Sequence, residues 1–433
     1  MGYMSMLAVL AFPGLARTGL LFLEIALALP LLYLVLLSIG AIVATIRGRR
    51  LSAGQVALPT ADPPKARFAI LIPAHDEEVM IGATLASLAL LDYPPDLYTV
   101  HVIADNCTDR TAEIAGAAQV RVHERIDSIN LGKGYALAWA LARLTVDPGR
   151  YDAVIVIDAD TIADAQLLQA FARGLAGGSK ALQAHYAVLN AADSAGAALR
   201  WLALSLVNYI RPLGRNAWGG SSTLTGNGMC LSWELLTRHP WQAFGLSEDY
   251  QYYLTLVASG DRVMFVPDAK VYSPMPTTVR QLQSQDIRWE ASSPDSSGEQ
   301  RRLAWNLLTD GIRRRDWVRL DALAELLTPP LSVLASGTVL LLSGAIILGG
   351  PTQLLSATVL AGALLCYVGS AFVLLRPPLA VYRALVHAPA YMCRKLWIYF
   401  VLRHLPSYTS TWVRTARTAA TPARKEGMPF RPN

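Results

Sequence analysis

Ala153-Val154-Ile155-Val156-Ile157-Asp158-Ala159-Asp160 is an apolar run rich in β-branched residues that ends in two carboxylates one residue apart. Such a run reads as a buried strand. A strand ending this way can offer both carboxylates to a hard divalent cation, which keeps its other positions for water and substrate phosphate. Alone, two Asp after a strand are more often a turn or a helix cap than a metal site. Two runs of the same kind precede it at 68–72 and 99–104, with helical patterns at 79–91, 108–117 and 132–144. Strands alternating with helices imply a parallel sheet with right-handed crossovers, and ligands then sit at the carboxyl ends of the strands. Pro73-Ala74-His75-Asp76-Glu77-Glu78, Asp105-Asn106 and Asp158-Ala159-Asp160 occupy those ends, so all three are expected on one rim.

Outside this middle region the chain changes character. Of 433 residues 53% are hydrophobic, concentrated towards the two ends. Stretches 25–46, 331–348 and 353–375 carry no charge, and each is near or above the length that crosses a bilayer. Three spans are expected. The first is too long for a cleavable signal and lacks a small-residue cleavage pattern. Arg47, Arg49 and Arg50 follow it, whereas 1–16 has no basic residue, which predicts a cytoplasmic middle domain at the plasma membrane. Gly349-Gly350-Pro351-Thr352 then forms an outer hairpin, with Arg376 and Arg383 back on the inner side.

The net charge of +6 is carried largely by clusters such as Arg313-Arg314-Arg315 and 414–425, so anionic headgroups are a better partner than nucleic acid. Four scattered cysteines without CxxC spacing suit a reducing compartment and give no zinc or disulfide framework. Two amphipathic stretches, 198–215 with Arg200, Asn208, Arg211 and Arg215, and 301–320 with Trp305 and Trp317, are expected to lie on the inner leaflet. Segment 380–405 holds Arg383, His387, Arg394 and Lys395, which favour the interface over a fourth span. The expected organisation is 1–50 with the first span, 51–66 as linker, 67–295 as the cytoplasmic domain, 296–330 interfacial, 331–376 with two spans, and 377–433 as an interfacial segment and basic tail.

Glu248-Asp249 and Gln285-Asp286-Ile287-Arg288-Trp289 complete a recognisable order of motifs. Over roughly residues 67–295 the chain resembles the membrane-embedded family-2 inverting glycosyltransferases, which include cellulose, hyaluronan, chitin and poly-N-acetylglucosamine synthases. The resemblance implies an A-type glycosyltransferase domain of α/β class, a mixed, mostly parallel sheet with helices on both faces, inserted between transmembrane helices and accompanied by interfacial helices. It implies a nucleotide-sugar donor, a UDP-sugar by expectation, and Mg²⁺ or Mn²⁺. Carried over residue by residue, Glu77 and Asp105 hold the nucleoside, Asp158 and Asp160 serve the donor with Asp160 on the metal, and Asp249 is the general base. Gln285, Arg288 and Trp289 lie beside donor phosphate and acceptor, and Thr225-Gly226-Asn227-Gly228 resembles the acceptor-side loop, joined there by Glu248.

The chemistry asks for these residue types independently. Inversion needs one carboxylate to take the acceptor hydroxyl's proton, and a departing diphosphate needs neutralising charge. Asp249 suits the first task; Arg288, Lys133 in Gly132-Lys133-Gly134 and a metal on Asp160 suit the second. Asp105-Asn106-Cys107-Thr108-Asp109 and His75-Asp76-Glu77 depart from the family's usual runs and leave the donor base open. The leading expectation is extension of a β-linked polysaccharide or oligosaccharide; the alternative is single transfer to a membrane lipid. Because three spans are few to enclose a path for a polar polymer, the polymer expectation brings with it a homo-oligomer or an export partner.

Overall fold

The structure, a computed structural model, describes residues 2–54, 65–145, 151–245, 247–277, 285 and 298–401. Arg288, Trp289, most of the expected linker and the basic tail beyond 401 lie outside the described residues. The middle of the chain runs β1 (Phe68–Ala74), α2 (Ile81–Leu88), β2 (Tyr98–Asp105), α3 (Thr111–Ala117), β3 (Arg121–Arg125), α4 (Lys133–Leu144), β4 (Ala153–Val156), β5 (Ile162–Ala163) and α5 (Leu167–Ala176). It continues with β6 (Ala181–Val188), α6 (Ala195–Ser205), a π turn (Leu206–Ile210), α7 (Arg211–Ala217), β7 (Met229–Ser232), α8 (Trp233–Arg238), α9 (Glu248–Ala258) and β8 (Val263–Ser273).

These strands form one sheet in the order β3-β2-β1-β4-β7-β6-β8-β5. β1 pairs in parallel with both β2 and β4, whereas β7 is antiparallel to β4 and β6. Alternation along β1 divides two cores, since successive side chains point to opposite faces. Phe68, Ile70 and Ile72 meet α2 and α5 through Leu85 and Phe171; Ala69 and Leu71 meet α4 and α9 through Leu137, Tyr252 and Tyr253. Helices on both faces explain why β1 reads as a continuous apolar run. The expected parallel half is therefore present, joined to a mixed half.

Helices bracket this domain. α1 (Gly2–Gly54) precedes it, and α10 (Gly298–Arg314), α11 (Trp317–Leu327), α12 (Leu331–Leu348), α13 (Pro351–Leu375), α14 (Leu379–Ala384) and α15 (Ala388–Phe400) follow. Among the described residues, three segments are long and apolar enough to cross a membrane: Arg17–Gly48, Leu331–Leu348 and Pro351–Leu375. Phe22, Leu29, Ile347 and Leu365 on them are 70–76% exposed, an apolar surface that only lipid or protein would cover favourably.

The register between α1 and α12 extends the first expected span towards Arg17. Arg17 Nε donates to Leu348 O at 2.9 Å, Leu20 lies over Gly344, and Leu27 over Gly337. Extending that antiparallel register sets 17–33 beside 331–348. Beyond it, Leu34, Leu37 and Ala41 are buried by protein rather than left to lipid. Trp218 Nε1 donates to Leu36 O at 2.8 Å, and a Cβ added to Gly214 on α7 would fall 2.1 Å from Leu37 O. The stretch 25–46 is uncharged for two reasons, bilayer and helix packing, which a hydropathy reading merges.

A second correction concerns 198–215. Arg200, Asn208, Arg211 and Arg215 are all buried, so they do not reach lipid headgroups. α10 and α11 keep Trp305 and Trp317 exposed, while Arg319 turns inward. Segment 379–400 is divided into helical pieces of 6, 3 and 13 residues, each shorter than a bilayer crossing requires.

Candidate active site

Parallel β1, β2 and β4 deliver their carboxyl ends to one rim. After β1 and β2 the chain turns through left-handed residues, Asp76 (φ 53°) and Asn106 (φ 52°), types whose short polar side chains tolerate that conformation. The two loops interlock. Asp76 accepts from Thr108 N at 2.6 Å, Asp109 accepts from Glu78 N at 3.0 Å, and Glu77 N donates to Thr111 Oγ1 at 2.7 Å. Glu77 thus stands half-buried on the rim, its carbonyl starting α2.

Asp105 is buried and ion-paired: Arg125 Nη1 lies 2.5 Å from its Oδ1, while Arg125 Nη2 donates to Asp127 and to Asn130 O. Burial raises the Asp105 carboxyl and Arg125 opposes that rise. β3 puts Arg125 directly opposite Asp105 in the ladder, a pairing that sequence reading missed because β3 is a polar edge strand.

Asp158 and Asp160 lie in the turn after β4. Thr161 N donates to Asp158 O, Thr84 Oγ1 donates to Ala159 O at 2.7 Å, and Asp158 N donates to Asn227 Oδ1 at 3.2 Å. Asn227 is fully buried, and its amide nitrogen donates to Thr161 Oγ1 and Ser273 Oγ. It was expected at the acceptor; its side chain instead braces the turn, and Gly226 beside it faces the site. Buried Gln183 holds the same loop, accepting from Thr225 N at 3.0 Å and donating to Asn227 O at 2.8 Å.

Lys133, first residue of α4, closes the arrangement. Its Nζ lies 2.6 Å from Asp158 Oδ1 and 2.6 Å from Gly226 O. Gly226 has φ +76°, and a Cβ there would fall 3.0 Å from Asp249 Oδ2 and 3.3 Å from Lys133 Nζ. Asp249 follows Glu248 in the first turn of α9, where the helix dipole favours negative charge. Burial raises the Asp249 carboxyl against Lys133 and the Tyr250 N–H, and burial with the Asp249 charge pushes Glu248 up to about 7. Burial alone would depress Lys133; the charges of Asp158, Glu248 and Asp249 outweigh it and hold the ammonium above its ordinary value. One cation thus serves three carboxylates around a glycine backbone.

Gln285 accepts a hydrogen bond from Arg200 Nη1 on α6. Among the described residues, Asp76, Cys107 and Asp109 also offer ligand atoms within 4.8 Å of one another. That group is a poor ion cage. Both carboxylates already serve loop N–H groups, and burial pushes the Cys107 thiol up to about 11, away from the thiolate a metal needs. Asp158 is ion-paired with Lys133, and Asp160 stands partly buried on the same locked turn, its carboxylate of the oxygen type that a hard cation takes.

A family model described as Glycosyltransferase like family 2 matches residues 63–292. Curated relatives include the probable glycosyltransferase YdaM of Bacillus subtilis, 26% identical over 236 residues, 52% of this chain and 54% of that protein. Beta-monoglucosyldiacylglycerol synthase of Synechocystis is 28% identical over 233 residues, 52% of this chain and 47% of that protein. The chain thus spans about half the length of these relatives. Among solved structures, a mannosyltransferase of Pyrobaculum calidifontis, in complex with GDP-Man and Mn²⁺, superposes with TM-score 0.50 at 17% identity, covering 87% of this chain and 99% of that one. At that identity the likeness concerns the fold alone.

Proposed function

This chain belongs to glycosyltransferase-like family 2, and from that premise we propose that it transfers a sugar, with inversion, from a nucleotide sugar to a hydroxyl acceptor held at the bilayer. One observation carries the reading: Asp249 faces Gly226 beside the Lys133–Asp158 pair at the carboxyl ends of the parallel strands. Donor diphosphate there meets Lys133, with the nucleoside towards Glu77 and Asp105. The acceptor oxygen attacks the anomeric carbon; its bond to that carbon forms as the bond to diphosphate breaks, and its proton passes to Asp249. Arg288, Gln285 and Trp289 complete the phosphate and acceptor side. Asp160 would hold Mg²⁺ or Mn²⁺, an oxygen-seeking cation that supplies charge neutralisation for the leaving diphosphate when bound.

For the acceptor we favour a membrane lipid over a growing polysaccharide. Similarity to a diacylglycerol glucosyltransferase supports this, as does the packing of the catalytic domain directly on α1. We place the site on the cytoplasmic side, where Arg47, Arg49 and Arg50 put the domain. Full-length protein in detergent, supplied with a panel of nucleotide sugars and with or without diacylglycerol, should release nucleoside diphosphate only with lipid present and add a single sugar. A ladder of products without lipid would restore the polymer reading and its export partner.

A further inference from the structure

The strongest unassigned feature is a buried ionic chain between the catalytic domain and the apolar helices. Arg215 on α7 donates through Nη2 to Tyr253 OH at 2.7 Å and through Nε to Asp321 Oδ2 at 2.8 Å. Tyr33 OH on α1 donates to the other oxygen, Asp321 Oδ1, at 2.9 Å. Arg215, Asp321 and Tyr253 are each at most 2% exposed. Tyr253 stands on α9, little more than one turn from Asp249. Asp321 stands on α11, which leads through Thr328-Pro329-Pro330 into α12. A parallel contact joins the third apolar helix: Arg211 donates to Tyr367 OH at 2.8 Å and to Glu325 Oε1 at 3.0 Å.

An apolar contact of equal area would hold these helices together as well, because buried ion pairs contribute little net stability. What a buried arginine held from two sides, through Nε by Asp321 and through Nη2 by Tyr253, adds is one geometry rather than many. Close packing fixes the other side of the link. Gly214 lets α7 touch the Leu37 carbonyl of α1, and Gly40 on α1 lies against Trp218, so α7 cannot slide without a clash.

We propose that Tyr33, Asp321, Arg215 and Tyr253 are positioning residues that seat the base-bearing helix α9 against the membrane helix α1, making the placement of Asp249 depend on how α1 sits beside α12. This rests on Asp249 being the base. It also gives the enzyme a reason to carry its fold on apolar helices beyond anchoring: the membrane bundle sets the distance across which the proton is taken.

The test uses the full chain in lipid nanodiscs, with Tyr253→Phe and Tyr33→Phe compared with wild type and Asp249→Asn. In both tyrosine variants, affinity for the nucleoside diphosphate should stay within about twofold, while kcat falls about ten- to a hundredfold, the scale of a misplaced reacting group. The acidic limb of kcat against pH should move to higher pH, since Lys133 no longer holds the α9 carboxylates down against burial. Tyr33→Phe removes one hydroxyl and leaves Arg215–Asp321 paired, so it reports even should Tyr253→Phe fail to fold. If Asp249→Asn is inactive and both tyrosine variants keep the wild-type kcat and pH profile, the tether is wrong and the base assignment stands. If Asp249→Asn retains turnover, both ideas fall.

Discussion

Lys133 reaches from the start of α4 to Asp158 at the end of β4, Nζ to Oδ1 at 2.6 Å, and donates at the same distance to the carbonyl of Gly226. The ammonium organises the turn and supplies positive charge beside Asp249 and Glu248. Lys133→Met should lower turnover roughly 10²-fold, on the scale of losing one pre-placed electrostatic group. It should also raise the acidic limb of the pH–rate profile. An unmoved limb, with only donor affinity lost, would confine Lys133 to phosphate binding.

Gly226→Ala tests the close approach. Its φ of +76° is a region costing an L-residue about 1–2 kcal/mol, and the new methyl would press on Asp249 Oδ2 at 3.0 Å. Loss of stability of that size, measured by denaturant unfolding, should accompany a larger loss of turnover. If stability falls and turnover does not, Asp249 has room to move and the contact is incidental.

The legibility of this chain follows burial. β1, β2 and β4 are central strands covered on both faces, so β1 and β4 appear as unbroken apolar runs and β2 as one interrupted only by Thr99 and His101, and the rim follows from them. β6 carries buried Gln183 and His185, and β8 carries Pro267 and Asp268 at a register irregularity; these polar interruptions hid half the sheet. Asp249 and Lys133 were legible from motif context, but their meeting at Gly226 depends on the fold. The arginines of α6 and α7 misled because helical spacing of Arg against Leu and Trp is also the signature of a membrane-surface helix. Their partners Asp321 and Glu325 lie 106 and 114 residues further on, a distance at which no local pattern reveals a pair.

Topology gives a third prediction. Arg17 meets Leu348 at the end where the Gly349-Gly350 hairpin turns, and Arg47, Arg49 and Arg50 lie at the far end of α1. In intact cells an impermeant thiol reagent should label Gly350→Cys, and Ala61→Cys only after permeabilisation. The reverse pattern would remove the site from its nucleotide-sugar supply.

Chelation tests the oxygen-ligand reading of Asp160. Exhaustive EDTA treatment should stop turnover, and Mg²⁺ or Mn²⁺ should restore it. Undiminished activity would leave the rim's charge balance to Lys133 and the arginines.

The last prediction is pH dependence with its sign worked out. Asp249 must be ionised to accept a proton, and burial raises its carboxyl above the usual range, so turnover should climb as pH rises through the raised value and then level off. Stability should lean the other way. Glu248 goes from an ordinary 4.5 to about 7 in the folded chain; a raised carboxyl contributes stability below its unfolded value and loses it as pH rises through the folded one. Between about pH 4.5 and 7 the protein should therefore become more active while this pair contributes less to holding it folded. Asp249→Asn should cost about 10²- to 10⁴-fold in transfer with donor binding retained, and should ease the rise in Glu248 by removing the adjacent charge. Kinetics and unfolding recorded over the same buffers would decide the matter: parallel slopes of activity and stability, or an acidic limb unchanged in Asp249→Asn, would mean that another group takes the proton.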